Sequence, residues 1–344
     1  MLTRDVPWDW CEAEEPPPPP LRDLVRRDAA GAAARLWHVT HRAQGAAQRA
    51  MLAAFRAAPA PWGAAAAGRV VAPLARWHAR DTLMAARMDG TLARLRPDLD
   101  AAGRAAMIDR WFANTVRAMC GYPKLATLAA PPHTTTEGAG HLRAVRATGR
   151  PLVVASVHTG MWEILAFRAS RDFEDHGVGT WQPQPNRHDN RIVAAERRRL
   201  GIKVLPASPR LARRLAAILS EPGAGLALMV DEVSEGRIKF PLLGRRPEGR
   251  SNLSFALRMM QRLDGLVIPA TITRTGPDRH VFRYHDPFGI GSGAEGIAEA
   301  QARLDGVLGA HVRAHLDQWY MLQNVEPREL GAVSRPSARR PAAR

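Results

Sequence analysis

The sequence is short of cysteine, of lysine and of long apolar runs, and each shortage narrows what the chain can be. Among 344 residues only Cys11 and Cys120 are cysteines, which excludes a disulfide framework and any cysteine-rich metal site. A reducing cytosol is the expected compartment. The best candidate for a membrane span, residues 51–77, is broken by Arg56, Arg69 and Arg76 and by Pro59 and Pro61. A spanning helix needs about 20 predominantly apolar residues, so the chain is expected to be soluble or to rest on a membrane surface. The opening stretch MLTRDVPWDWCEAEEPPPPP is acidic and has no apolar h-region, so no secretory signal is expected. Lysine occurs only at Lys124, Lys203 and Lys239, and arginine supplies the rest of a net charge of +16. That excess favours polyanions: nucleic acid, an anionic membrane surface or phosphorylated substrates. No zinc-finger spacing or RNA-binding signature accompanies it, so no nucleic-acid partner is expected. A G-x-S-x-G elbow is also missing, which argues against an ordinary α/β-hydrolase.

What is present divides into four stretches. Residues 1–20 end in five consecutive prolines and read as a disordered proline-rich tail. Residues 21–130 form an N-terminal helical region rich in alanine, arginine and leucine, with Trp37, Phe55, Trp77, Leu83, Trp111 and Phe112 on apolar faces. Between Leu125 and His141 the string LAAPPHTTTEGAGH, which crosses the boundary, reads as a loop. In residues 131–330 short apolar runs at Pro151–Val157, Gly179–Gln182, Ile202–Leu205, Gly225–Val230 and Leu266–Thr273 alternate with helical patterns. His280–Tyr284 reads as an edge strand. Strands alternating with helices give an α/β sheet with helices on both faces. Residues 331–344 are basic, carry prolines and read as a disordered tail.

One stretch raises the question of chemistry. In VVASVHTGMWE an apolar run ends at His158, and Glu163 follows five positions later. With 12 histidines and 33 acids in 344 residues, one such His-x4-acid match is expected by chance, and one is found. The spacing alone therefore leaves an ordinary strand end and a catalytic pair both open. Position says more: the carboxyl ends of strands in open α/β sheets are where ligands bind. A carboxylate in the next helix's first turn would hold the imidazole in one tautomer, leaving the other ring nitrogen to take a proton. Asp231 and Glu232 end the run GLALMVDE, and serve either a site or the chain's exit to solvent. Arg197-Arg198-Arg199 reads as a solvated helix face, except that adjacent helical positions lie about 100° apart and one must point elsewhere. Gly291-Ser292-Gly293-Ala294-Glu295-Gly296 fits GxGxxG, but too little chain follows for a dinucleotide fold. Pro247-Glu248-Gly249-Arg250-Ser251 lies past the strand end where a phosphate-binding signature of this form belongs.

Taken in order, PLVVASVHTGMWEI, WQPQPNRHDNRIVAAERRRLGIKVLP, GLALMVDEVSEGRIKFPLLGRR, LVIPATITR and LDQWYMLQN resemble the bacterial lipid A late acyltransferase family. This lauroyl/myristoyl group lies within the lysophospholipid acyltransferase-like superfamily, and the resemblance covers roughly residues 135–325. It implies a mixed, mostly parallel central sheet flanked by helices, glycerolipid acyltransferase-like, preceded by the helical region. The implied reaction moves a fatty acyl chain from an acyl carrier protein or acyl-CoA thioester to a hydroxyl of a glycolipid or phospholipid. A lipid A precursor is the expected acceptor and another polar or mannosylated lipid the alternative; the rival reading is a basic nucleic-acid- or lipid-binding protein without catalysis. The implied place is peripheral, on the cytoplasmic face of the bacterial inner membrane. The resemblance gives His158 as general base with Glu163 as its partner, and Arg197 and Asp231 as substrate-binding residues. It also matches Pro183, Gly244, Pro269 and the pair Gln318-Trp319. Trp181-Gln182, Glu232 and Leu242-Leu243 depart from the tyrosine-arginine, glutamine and paired phenylalanines usual there, which bears on the acceptor and chain length. Acyl transfer of this kind needs a base and oxyanion stabilisation, and no metal or organic cofactor.

Overall fold

The computed structural model describes residues 5–173, 176–234, 237–247 and 250–330; the basic C-terminal stretch and part of the Pro247–Ser251 signature lie outside the described residues. Among the described residues, ten strands follow one another. They are β1 (Thr134–Glu137), β2 (Leu152–Ser156), β3 (Gly177–Trp181), β4 (Val204–Pro206), β5 (Gly225–Met229), β6 (Val233–Ser234), β7 (Arg237–Ile238), β8 (Leu266–Arg274), β9 (His280–Tyr284) and β10 (Phe288–Gly289). The main sheet runs β1-β9-β8-β2-β5-β3-β4, with β10 against β8, while β6 and β7 form a separate hairpin. Pairing is parallel except where β8 meets β9 and β10. The expected mixed, mostly parallel sheet is therefore the observed one.

The centre of the sheet follows from composition. All five residues of β2 are buried, as a continuous apolar run must be when helices cover both faces. One face packs against Met88, Leu92, Trp111 and Phe112 of the N-terminal helices and against Trp319. The other packs against Ile164, Leu165 and Phe173. The N-terminal helices thus share a core with the sheet. No helix among the described residues is long and apolar enough to cross a membrane.

Three expectations need correction. The Leu125–His141 stretch contains β1, whose three threonines pair in parallel with β9; a short, polar edge strand carries no apolar signal to read. β1 in turn makes β9 an interior strand, not an edge. The first described residues are also not an unpacked tail. Val6 and Cys11 are buried, and Val6 O accepts a 2.6 Å hydrogen bond from Lys203 Nζ. Trp8 lies under that ammonium at 3.7 Å from its ring centre. Glu12 pairs with Arg198 at 2.7 Å and Glu15 grips Arg191 through two bonds of 2.6 Å. The acidic, tryptophan-bearing stretch folds onto basic residues it meets only in three dimensions.

Candidate active site

Register builds the centre of the site. β2 and β5 are parallel neighbours with Ser156 opposite Met229. Two residues beyond each lie His158 and Asp231, on the same face because strand side chains alternate. The imidazole Nδ1 lies 2.7 Å from Asp231 Oδ1. The His158 backbone N–H and the Trp319 indole N–H donate to Oδ2 at 2.9 and 2.8 Å. Asp231 is fully buried, and these three donors replace the water it has lost. An anion there fixes the proton on Nδ1, so Nε2 is the basic nitrogen. Burial opposes the imidazolium, but Asp231, with Glu232 and Glu163 behind it, outweighs burial and holds the His158 pKa above its ordinary value.

The residues after β8 and at the C-terminal end close this centre. Tyr320 N–H donates to His158 O at 2.8 Å, and Thr159 bridges to Trp319. Trp111 donates its indole N–H to Trp319 O at 2.8 Å. Gly160 has a φ of 57°, and a Cβ there would sit 3.1 Å from Ile272 O, so the turn after the histidine has little room for another residue.

Glu163 does not partner the imidazole. It accepts from Arg197 Nη2 at 3.2 Å, and Arg197 also lies 5.1 Å from the Trp181 ring centre. The reason is geometric: Asp231, in register with His158, occupies Nδ1, while Glu163 begins the helix Glu163–Asp172 and faces the helix Arg187–Arg199. Of the arginine triplet, Arg197 is the one turned inward, with a side chain 11% exposed against 53% and 49% for Arg198 and Arg199. Its Nε and Nη1 have no protein acceptor among the described residues. Burial disfavours its charge, but Glu163, with the Tyr122 hydroxyl beside it, more than compensates and holds its pKa above the ordinary value.

His158, Glu163 and Arg197 line one cavity of about 670 Å³, together with Pro183, Glu232 and Tyr320. Asp231 lies behind the histidine, while Gly244 and Pro269 do not line the cavity. Among known protein families, the model of the bacterial lipid A biosynthesis acyltransferases matches residues 35–325. The chain belongs to that family. No curated protein matches it significantly. Membership makes this lipid A acyltransferase relative an enzyme of acyl transfer, and the matched span reaches back through most of the N-terminal helices.

Several residues of the candidate site carried no signal in the sequence. Trp162 and Tyr320 stack with ring centres 5.0 Å apart, and each lies within 6.4 Å of the His158 ring centre. Asn252 donates to Glu232 at 3.2 Å and to Met229 O at 2.7 Å. Burial, then the neighbouring Asp231, pushes the Glu232 carboxyl up to about 7, against the pull of His158, Asn252 and Arg197. Sequence spacing cannot pair Asn252 with an acid twenty residues earlier.

Proposed function

We propose that this acyltransferase moves a fatty acyl chain from a thioester of acyl carrier protein or coenzyme A to a hydroxyl of a lipid-A-like glycolipid. The observation that carries this reading is the His158–Asp231 pair, with Nδ1 committed to a buried carboxylate and Nε2 left beside a large cavity. Nε2 takes the proton of the acceptor hydroxyl as its oxygen attacks the thioester carbonyl. The tetrahedral intermediate then collapses, the C–S bond breaks, and the imidazolium returns its proton to the leaving thiolate. Asp231 orients the ring and stabilises its cation without itself taking the proton. Here Asp231 serves the base, and Glu163 acts through Arg197.

Arg197 binds substrate in this reading. Glu163 holds one end of its guanidinium, and the donors without a protein acceptor suit a phosphate on the donor or the acceptor lipid. A mainly apolar cleft lined by Met51, Leu52, Met161 and Ile192 joins the main cavity at Gln48, Met119, Trp162, Glu163 and Val193, and takes the acyl chain. Trp62, Val70, Leu74 and Trp77 are more than half exposed on the N-terminal helices. They rest on the cytoplasmic leaflet of the inner membrane, with the net positive charge assisting.

The test is thiol release from acyl carrier protein and coenzyme A thioesters in the presence of bacterial glycolipid. Wild type should release thiol only with lipid present and produce an acylated lipid visible by mass spectrometry, and His158→Ala should do neither. A well-folded wild type that releases no thiol from either donor with any lipid extract sinks the proposal.

A further inference from the structure

A second cleft lies beyond the end of β8, on the side of the N-terminal helices, and shares no lining residue with the cavity at His158. Arg274 ends β8 with only 8% of its surface exposed. Its Nη1 donates to Pro277 O at 2.8 Å, but its Nε and Nη2 are buried and have no protein acceptor among the described residues. Arg117, from the helix Ala101–Gly121, and Lys124 line the same cleft. Arg117 Nε makes one long bond of 3.4 Å to Ala64 O, and Lys124 Nζ donates to Arg56 O at 2.8 Å. The only carboxylate in the described lining is Asp278, which is taken up by His133 at 3.1 Å.

Three cations thus face one engaged carboxylate. Burying a charge without a partner is costly, and the Arg117 guanidinium aggravates it for Arg274. Burial, then Arg117, pushes the Arg274 pKa down to about 10 against the opposing pull of Asp278. Burial and then Arg69 push Arg117 down as well. His280 nearby is pushed to about 3 by burial, then by Arg274 and His133, so it adds no charge at neutral pH. A guanidinium with unused in-plane donors fits an oxyanion with two oxygens to offer.

We propose that this cleft binds a phosphate-type oxyanion between Arg274 and Arg117, with Lys124 at its rim. The interior has about 20 Å³ for the centre of a water-sized group, where about 10–15 Å³ suffices for one water. It therefore admits one oxygen of such a group, and the rest of the oxyanion, with anything attached to it, sits at the mouth of the cleft. Ala60, Gly63 and Ala64 line it too, on the helix that carries the exposed Trp62. The phosphate of a membrane lipid and free inorganic phosphate share the required chemistry.

Thermal unfolding of the full chain in phosphate, against chloride at matched ionic strength, tests the site. Wild type should show a saturable rise in melting temperature with phosphate or with short-chain phosphatidylglycerol, and Arg197→Gln should keep it. Arg274→Met and Arg117→Gln should abolish the rise or weaken apparent affinity at least tenfold. Their melting temperatures in chloride report folding separately, and if Arg274→Met fails to fold, Arg117→Gln decides. Half-saturation by the lipid well below that by phosphate assigns a headgroup; the reverse order assigns the free ion. A melting temperature that neither ligand moves, or a rise that survives Arg117→Gln in the Arg197→Gln background, overturns the proposal.

Discussion

Replacing Asp231 with asparagine separates shape from charge at the centre of the site. All three partners of the carboxylate are donors: His158 N–H and the Trp319 indole N–H at Oδ2, and His158 Nδ1 at Oδ1. An asparagine can keep its single oxygen where two donors converge, which places its NH2 group against Nδ1. The imidazole must then accept at Nδ1 and carry its proton on Nε2, the nitrogen that should be the base. Loss of the same kind in a serine protease triad costs about 10⁴-fold in kcat, equivalent to about 5.4 kcal/mol of barrier. The fold should survive, because shape and two of three hydrogen bonds are kept. Asp231→Ala, in contrast, leaves buried donors unsatisfied at about 1–3 kcal/mol each. The assay is single-turnover thiol release beside a thermal melt of both variants. Asp231→Asn within tenfold of wild type would refute the assignment of Nε2 as the base.

Further outcomes follow from the charges around that pair. Only neutral imidazole can accept a proton, and its pKa is held above the ordinary value near 6.5. Activity should therefore rise with pH with a midpoint above 6.5, and a plateau already reached at pH 5.5 contradicts this. Glu232→Gln removes a negative neighbour that raises the His158 pKa, so the acid limb of the rate profile should move to lower pH. The same variant bears on stability. A carboxyl pushed up to about 7 binds protons more tightly folded than unfolded, so stability falls as pH rises from about 4.3 to 7. Glu232→Gln should accordingly melt higher than wild type at pH 8, by on the order of 1–3 kcal/mol, and lose that advantage near pH 4. Glu163→Gln leaves the Arg197 charge without its partner and should cost about 3 kcal/mol. Adding Arg197→Met should recover part of that loss, and a double variant no more stable than Glu163→Gln speaks against the pairing.

The central strands were legible because they are buried on both faces. Pro151–Val157 and Gly225–Val230 stand out as apolar runs, and their ends mark His158 and Asp231. Partnership was not legible, since the pairing of β2 with β5 spans 73 residues between the two side chains and no local spacing encodes it. Glu163 looked like the natural partner because it is near in sequence; the structure gives that place to the residue near in register. Arg197 was distinguishable only as one of three, and helix phase rather than composition selects it. β1 and the folded Val6–Glu15 stretch were missed because polar strands and acidic segments owe their order to partners elsewhere in the chain.

The register of β2 and β5 also bears on redesign. The spacing of His158 and Asp231 rests on backbone hydrogen bonds in the middle of the sheet, whereas Pro183 and Gln184 reach the cavity from the loop that follows β3. Loop lengths and side chains around the cavity can therefore be exchanged wholesale without disturbing the distance between base and carboxylate. A library confined to residues 182–186 would sample new acceptors on an unchanged proton-transfer unit. A one-residue slip between the two strands, by turning one side chain to the opposite face, would disable every member of it at once.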